Sequence, residues 1–324
     1  MPLHLRLTEV RSVVKHVGKN LVLAIPGTRR LRRELLGSAH WSGTYDKDWT
    51  ARRTRQLREL LDAYAEAWGD WSWLGGKTTL EIGSGPDLAV PFILQTLGAG
   101  MSYGSDPEPC GAVAIPDHAV AVFQELASAY VSPASIRPGA HQANPGIRTA
   151  SPVYVEKLHQ TFAPDSIDLV LSTCTLQHVV DPVIAIEEMG TVLRSGGRMI
   201  HTIAIGNHCC ARGEADPLHH LFYEKWLWQA MFSQRVGHNR WQWFEWREAL
   251  EGAGFLMDYV RVTARVESNY VREIRPRLAK RFRAMGPEAL EPLYVIVACR
   301  KAGEAARRRS SKDRDTAETP PGPT

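Results

Sequence analysis

Apolar runs and helical stretches alternate along the middle of the chain. A β-branched and apolar run that begins at Thr78 leads directly into Gly83, and residues 88–97 then have the pattern of a helix that two glycines end. Residues 101–105 follow as a second strand. A strand, a glycine turn and a helix in this order open a nucleotide-binding α/β unit. The pattern therefore predicts an α/β fold whose first turn passes close under a ligand.

The same alternation continues in the second half of the chain. Residues 165–172 predict a strand, and Asp181 is suited to cap a helix that begins with Pro182. Apolar residues at helical spacing continue this helix until the Ser-Gly-Gly run at 195–197 ends it. Residues 199–205 then predict a further strand.

The composition of the glycine turn limits the nucleotide that it can hold. A dinucleotide fingerprint requires a third glycine where this chain has Leu88. A phosphate loop requires Gly-Lys-Ser or Gly-Lys-Thr, and the sequence has no such run. We therefore interpret Gly83 and Gly85 as a turn built for a nucleoside without a pyrophosphate.

Residues 81–86, Glu-Ile-Gly-Ser-Gly-Pro, resemble motif I of the class I S-adenosylmethionine-dependent methyltransferases. The strand, helix, Leu-x-x-Gly-Gly and strand pattern of residues 165–205 resembles the same family, and the resemblance covers roughly residues 78–300. It implies an α/β, Rossmann-like fold: a mostly parallel seven-stranded sheet with helices on both faces, N-terminal helices, and a helical aromatic insertion between strands 5 and 6. It also implies a methyltransferase whose cofactor is S-adenosyl-L-methionine.

Further residues are candidates for holding this cofactor. Asp106 lies about twenty residues beyond the glycine turn, where a carboxylate can accept hydrogen bonds from ribose hydroxyls or can simply initiate a turn. The resemblance implies that residues 153–155 lead out of the third strand, and that Glu156 and Lys157 meet the adenine through a side chain and a backbone amide. The predicted cofactor-binding residues are Glu81, Gly83, Ser84, Gly85, Asp106, Glu156, Lys157 and Thr173.

Asp87 stands where the family commonly has a third glycine. Its carboxylate could cap the following helix, or it could repel the carboxylate of the cofactor's methionine. We expect the cap, because aspartate accepts well from the N–H groups at the start of a helix.

Residues 206–255, between the fifth and sixth predicted strands, are a candidate lid and substrate insertion. They contain five of the ten tryptophans, most of which we expect to pack a helical subdomain.

Three histidines are candidates for a general base, in the order His208, His201 and His178. For each of them, a structural role is as much expected as a catalytic one. We predict no metal site at His208 and the two cysteines that follow it, because three consecutive side chains cannot easily converge on one ion.

The chain divides into a basic N-terminal segment (1–40), a methyltransferase domain (41–301) and a disordered tail (302–324). The tail has almost no large apolar side chains, so burial cannot offset the entropy lost on ordering. Five cysteines at irregular spacing fit reduced thiols, and we expect a cytoplasmic protein.

Charge is distributed unevenly along the chain. Residues 1–35 contain eight lysines and arginines and two glutamates, while the remainder is net negative. A basic helix with apolar positions could lie on an anionic membrane, but we favour a surface helix that packs on the catalytic domain. We expect no nucleic-acid partner, because no platform of interleaved basic and aromatic residues is present. The oligomeric state is left open.

These features predict methyl transfer to an oxygen or nitrogen atom of a small or medium-sized metabolite, with sugars and lipid-linked head groups among the candidates. Two alternatives remain open: a nucleotide-dependent oxidoreductase, and a non-catalytic regulator with a methyltransferase-like fold. Leu88 and the pairing of Glu156 with Asp168 argue against the first. The intact residues of the predicted cofactor site argue against the second; they are Gly83, Gly85, Asp106 and Glu156.

Overall fold

The structure is a computed structural model, and it describes residues 7–25, 47–85, 87–108, 110, 114–131, 145–207, 216–232 and 238–303. His208 and the predicted tail beyond residue 303 lie outside the described residues.

The strands form a single sheet. They are β1 (Thr78–Ile82), β2 (Met101–Ser105), β3 (Ile147–Ala150), β4 (Ile167–Thr173), β5 (Leu193–Ala204), β6 (Phe255–Arg265) and β7 (Pro292–Lys301). Their order is β3-β2-β1-β4-β5-β7-β6. Neighbours among β1 to β5 are parallel, whereas β7 runs antiparallel to both β5 and β6. The predicted mostly parallel, seven-stranded Rossmann-like sheet is confirmed.

Helices flank the sheet and extend it at the N-terminus. Among the described residues they are α1 (Leu7–Ala24), α2 (Lys47–Trp68), α3 (Ala89–Thr96), α4 (Asp117–Ser128), α5 (Pro182–Val192), α6 (Lys225–Phe232), α7 (Trp243–Gly252), α8 (Ser268–Ile274), α9 (Lys280–Arg283) and α10 (Pro287–Leu290). The predicted cap of α5 is confirmed, because Asp181 Oδ1 accepts from the N–H groups of Val183 and Ile184 at 3.0 and 3.2 Å. No helix in this part of the chain has the length and apolar character needed to cross a membrane.

Two apolar layers cover the faces of the sheet. Leu169 and Leu171 of β4 pack with buried residues of α2, α3 and α4. Val170 points the other way and packs with residues of α5 and α7. Every residue of β4 is buried, as expected for a central parallel strand covered on both faces.

The third strand lies earlier in the chain than predicted. β3 ends at Ala150, and residues 155–160 form a 3₁₀ turn. The prediction that residues 153–155 form the end of the third strand is therefore wrong. β3 is a short edge strand that pairs with β2, and Pro152 has no N–H with which to continue the ladder.

Two helical connections lie beyond the ends of β5 and β6. The β5–β6 connection contains α6 and α7, as predicted, but the β6–β7 connection is also helical and contains α8, α9 and α10. Leu221 and Phe222 of the first connection share a buried core with Val271 and Phe282 of the second. We call residues 216–232 and 266–291 the cap.

Candidate cofactor site and active site

The glycine turn between β1 and α3 is held by the end of β2. The N–H groups of Gly83 and Ser84 both donate to the carbonyl oxygen of Ser105, at 2.8 and 3.0 Å. Gly83 and Gly85 have positive φ angles of 73° and 67°, which glycine adopts at little cost. A Cβ on Gly83 would also lie less than 3.0 Å from three side-chain atoms of Thr175. Position 83 therefore requires glycine for both conformation and space.

Asp106 follows β2 and is bonded to the turn. Its Oδ2 accepts from the N–H of Gly85 at 3.1 Å, and its Oδ1 accepts from the N–H of Glu108 at 2.9 Å. Burial raises the pKa of this carboxyl group, and the two backbone donors oppose that shift. Each carboxylate oxygen has a second lone pair, so Asp106 can still accept hydrogen bonds from a ligand.

Glu81 lies fully buried on β1, just before the turn. The Oγ of Ser84 donates to its Oε2 at 2.7 Å, and the Nη2 of Arg53 donates to its Oε1 at 3.5 Å. Burial raises the pKa of Glu81 to about 7; Arg53 and Ser84 lower it, while Asp87 and Asp106 raise it. The acids near Glu81 thus outnumber the bases that influence it, an arrangement that favours a cationic ligand.

Arg53 of α2 is a site residue that the sequence analysis missed. It lies one helical turn before Leu57, on the face that α2 buries against the sheet. A cation within an otherwise apolar stripe was the available signal. The Nε of Arg53 is buried and has no hydrogen-bond partner among the described residues, so a donor remains at this site.

Asp87 caps the following helix, as predicted. Its carboxylate is buried, and Oδ1 accepts from the N–H of Ala89 at 2.9 Å. Leu88 adopts a positive φ of 54°, and a Cβ on Gly104 of β2 would come closer than 3.0 Å to the Leu88 side chain. The missing side chain at Gly104 therefore gives room to the leucine that replaces the dinucleotide-type glycine.

The end of β4 meets the turn from the other side. The Oγ1 of Thr173 is buried and has no hydrogen-bond partner in the described part of the chain. Cys174 has a positive φ of 52°, its N–H donates to the carbonyl oxygen of Thr202 at 2.9 Å, and its Sγ donates to the hydroxyl of Tyr294 at 3.2 Å. Burial raises the pKa of the Cys174 thiol, so it is protonated at neutral pH. Polar groups of β4, β5 and β7 thus meet beside the glycine turn.

Glu156 and Lys157 have hydrogen-bond partners that do not belong to the glycine turn. The Oε1 of Glu156 accepts from the N–H groups of Val180 and Asp181, at 2.7 and 3.4 Å, just before α5. The N–H of Lys157 donates to Tyr154 at 2.9 Å within the 3₁₀ turn. Their adenine contact stays a prediction.

The segment directly after β3 lies closer than Glu156 does to Asp106, the residue predicted to bind the ribose. The N–H of Val153 donates to the carbonyl oxygen of Asp106 at 2.9 Å. The Oγ of Ser151 accepts from the N–H of Cys110 at 3.2 Å. Residues 151–153 therefore adjoin Asp106, whereas the carboxylate of Glu156 is bonded to the start of α5.

The three candidate bases lie in different surroundings. His201 is fully buried within β5, where its Nδ1 lies 2.9 Å from the Oγ of Ser172 and burial lowers its pKa to about 3. His178 is half-buried in the loop after β4, and its N–H donates to the carbonyl oxygen of Thr175 at 2.8 Å. His208 lies outside the described residues, as do the cysteines at 209 and 210. Among the residues that are described, no cluster of three His, Cys, Asp or Glu side chains could hold a metal.

Residues 110–201 match the family model described as "Methyltransferase domain". The matched range begins after β2 and ends within β5, so the glycine turn lies outside it. No curated protein matches the sequence.

Solved structures are similar to this chain at low sequence identity. A putative S-adenosylmethionine-dependent methyltransferase from Listeria monocytogenes is 15% identical, with 77% of this chain and 98% of that chain covered and a TM-score of 0.43. A geranyl diphosphate methyltransferase in complex with SAM is 15% identical (87% and 95% covered, TM-score 0.42), and so is the [4+2]-cyclase SpnF (87% and 96%, TM-score 0.44). These values are too low to carry an activity from any of these proteins to this chain.

The match of residues 110–201 to a methyltransferase domain and the order of the strands agree with the class I S-adenosylmethionine-dependent methyltransferase that the motifs predicted. The match supports an enzyme that uses S-adenosylmethionine as its cofactor. The residues present fit this ligand, because a glycine turn with no room for a Cβ adjoins Asp106, and the acidic surroundings of Glu81 suit a ligand that carries a sulfonium and an ammonium group. The match favours a methyltransferase over the oxidoreductase and non-catalytic alternatives.

Affinity for S-adenosylmethionine is expected to rise from about pH 6 to about pH 8 and then level off. Burial raises the pKa of Glu81 to about 7, so this carboxyl group is largely protonated at the lower pH and charged at the higher one. A cationic ligand binds better to the charged form and releases a proton as it binds. Calorimetric titration across this range, in buffers of different ionisation enthalpy, measures both the affinity and the proton count.

Glu81→Gln is the matched variant, because it keeps the shape of the side chain but cannot titrate. Its affinity should be nearly constant over the same range. An equal pH dependence in the variant would assign the titration to another group, such as the half-buried Asp106.

Proposed function

We propose that this enzyme transfers a methyl group to an oxygen or nitrogen atom of a small or medium-sized acceptor that binds between the glycine turn and the cap. The observation that carries the proposal is the shared core of the cap, in which Leu221 and Phe222 pack with Val271 and Phe282. Both connections of the cap start where β5 and β6 end, at the edge of the sheet that carries the glycine turn. A covered crevice at this edge suits a small molecule better than a macromolecule.

The roles of the cofactor-binding residues follow from their remaining hydrogen-bonding capacity. Asp106 accepts from the ribose hydroxyls, and Arg53 offers its unused donor to the carboxylate of the methionine. Bound S-adenosylmethionine supplies an electrophilic methyl group on its sulfonium. The protein holds the acceptor in line with that group and excludes water from it.

His178 is the described histidine whose surroundings best suit a general base. It lies in the loop whose Thr175 contacts Gly83, whereas His201 is buried in the sheet and its low pKa makes it a weak base. His208 remains a candidate outside the described residues. A base is needed for a hydroxyl acceptor and is dispensable for a neutral amine.

We place the enzyme in the cytoplasm, consistent with the free thiols of Cys110, Cys174 and Cys299.

The test has two stages. Calorimetric titration with S-adenosylhomocysteine, with NAD as a control, should give one saturable site for the first ligand alone. The enzyme is then incubated with S-adenosylmethionine and panels of hydroxyl- and amine-bearing metabolites, and mass spectrometry detects the methylated product. Binding of S-adenosylhomocysteine without methylation of any oxygen or nitrogen acceptor would contradict the proposed acceptor class.

With a hydroxyl acceptor, His178→Ala should lower turnover by about a hundredfold and leave the affinity for S-adenosylhomocysteine unchanged. His159→Ala is the matched control, since that exposed histidine is bonded to Glu188 on the surface. Wild-type turnover in His178→Ala would exclude His178 as the base and leave His208.

A further inference from the structure

The N-terminal helix α1 packs one side against the cap. Val13 and Val17 contact a small apolar cluster that includes Leu227 and Met231 of α6. The ring of His16 lies 5.3 Å from that of Phe232, measured between centroids. α1 is thereby attached to the β5–β6 connection, next to the proposed acceptor site.

Another side of α1 is apolar and exposed. Val10, Val14 and Leu21 are exposed by 42%, 66% and 66%. Their spacings of four and seven residues place them on one face of the helix. Single exposed apolar side chains are common, but an exposed apolar stripe along a helix indicates an interaction surface. We call these three residues the apolar stripe.

A basic strip runs beside the apolar stripe. Arg11 and Lys15 each follow a stripe residue by one position, and both are exposed. They belong to a segment, residues 1–35, that contains eight lysines and arginines and two glutamates. The helix therefore presents an apolar face with positive charge along its border, which is the pattern of helices that lie in the interface of an anionic membrane.

A neighbouring helix also exposes an aromatic and a basic side chain. α6, on which α1 packs, exposes Trp226 by 62% of its surface and Lys225 beside it. Indole rings favour the level of the lipid head groups, and lysine favours anionic lipid. A second copy of the chain fits less well, because pairing two stripes would bring two basic strips together.

We propose that α1 docks the enzyme on the surface of an anionic membrane, with the apolar stripe at the boundary of head groups and acyl chains and with Arg11 and Lys15 on lipid phosphates. Membrane binding of this kind does not depend on the reaction that the enzyme catalyses. It does bring the cap, and with it the proposed acceptor site, next to lipid.

The full-length protein is tested by flotation with vesicles of phosphatidylcholine alone and vesicles with about one third phosphatidylglycerol. We expect binding at least about tenfold stronger to the anionic vesicles, and a steep loss of that binding in high salt. Val14→Asp with Leu21→Asp should abolish binding, and Arg11→Gln with Lys15→Gln should remove the preference for anionic lipid. Leu256→Asp, at an exposed apolar position on β6, is the matched control and should bind as the wild type does.

Three results would overturn the proposal. They are a wild-type protein that does not bind anionic vesicles, binding that is indifferent to lipid charge and salt, and binding that survives the paired aspartate substitutions. Light scattering tests the competing occupant: a dimer that the same substitutions dissociate would assign the stripe to a second copy. Thermal unfolding of each variant checks its fold, and the exposed basic pair keeps the test decisive if the aspartate variant unfolds.

Discussion

An alanine at position 83 is expected to weaken the binding of S-adenosylhomocysteine by about a hundredfold or more. The backbone of Gly83 has a φ of 73°, and this conformation costs a residue with a Cβ about 1–2 kcal/mol. The new Cβ would lie less than 3.0 Å from three side-chain atoms of Thr175, and such overpacking costs about 1–3 kcal/mol more. If the turn moves to relieve this strain, the affinity should fall by about a hundredfold or more, as measured by calorimetric titration.

Gly76→Ala is the matched control for this prediction. Gly76 has the same φ of 73°, but a Cβ there would meet nothing within 4 Å. It should therefore show the backbone strain alone, as a lower Tm with unchanged affinity. Combining Gly83→Ala with Thr175→Gly removes the three crowding atoms and should restore part of the affinity. Wild-type affinity in Gly83→Ala alone would mean that this turn does not hold the cofactor.

The glycine turn could be predicted because its determinants are local. Gly83, Gly85 and Asp87 lie within five residues of one another, and their conformational and capping preferences act on the adjoining backbone. The sheet could be predicted for a related reason, since each strand of the parallel part is a short apolar run next to a helix. The exception is β3, a four-residue edge strand in which Arg148 and Thr149 are exposed, so its pattern is weak.

The contacts that complete the site depend on tertiary packing. Arg53 and Glu81 are 28 residues apart, and they meet because α2 packs against one face of the sheet. Glu156 was predicted at the adenine by resemblance, yet its carboxylate accepts from Val180, 24 residues away, where the loop after β4 returns. Neither pairing has a sequence signature.

The β6–β7 connection, the second part of the cap, escaped prediction for a different reason. α8, α9 and α10 have seven, four and four residues, too few for a helical period to be read from the sequence. Their apolar residues find their partners in the other connection, as when the N–H of Ala279 donates to the carbonyl oxygen of Leu221 at 3.0 Å. A core made by two segments about fifty residues apart becomes visible only in the fold.

Asp106→Ala is expected to weaken the binding of S-adenosylhomocysteine by roughly a hundredfold to ten-thousandfold. The proposed bonds from two ribose hydroxyls to a carboxylate are worth about 1.5–3 kcal/mol each, and both are lost together. In the wild-type protein the N–H of Gly85 donates to Oδ2 of Asp106 at 3.1 Å. The variant therefore also removes a hydrogen bond that holds the glycine turn. Asp106→Asn keeps one carbonyl acceptor in the same place and should lose only about tenfold.

The matched control for this substitution is Asp70→Ala. Asp70 is an exposed carboxylate that likewise accepts from a backbone N–H, that of Ser72, at 2.8 Å. It precedes β1 in the chain and so lies toward the edge of the sheet opposite the glycine turn. Losing such a cap should lower the Tm slightly and leave the affinity unchanged. Full affinity in Asp106→Ala with a normal Tm would remove Asp106 from the ribose site, and the buried, unpaired Oγ1 of Thr173 would then be the next acceptor to test.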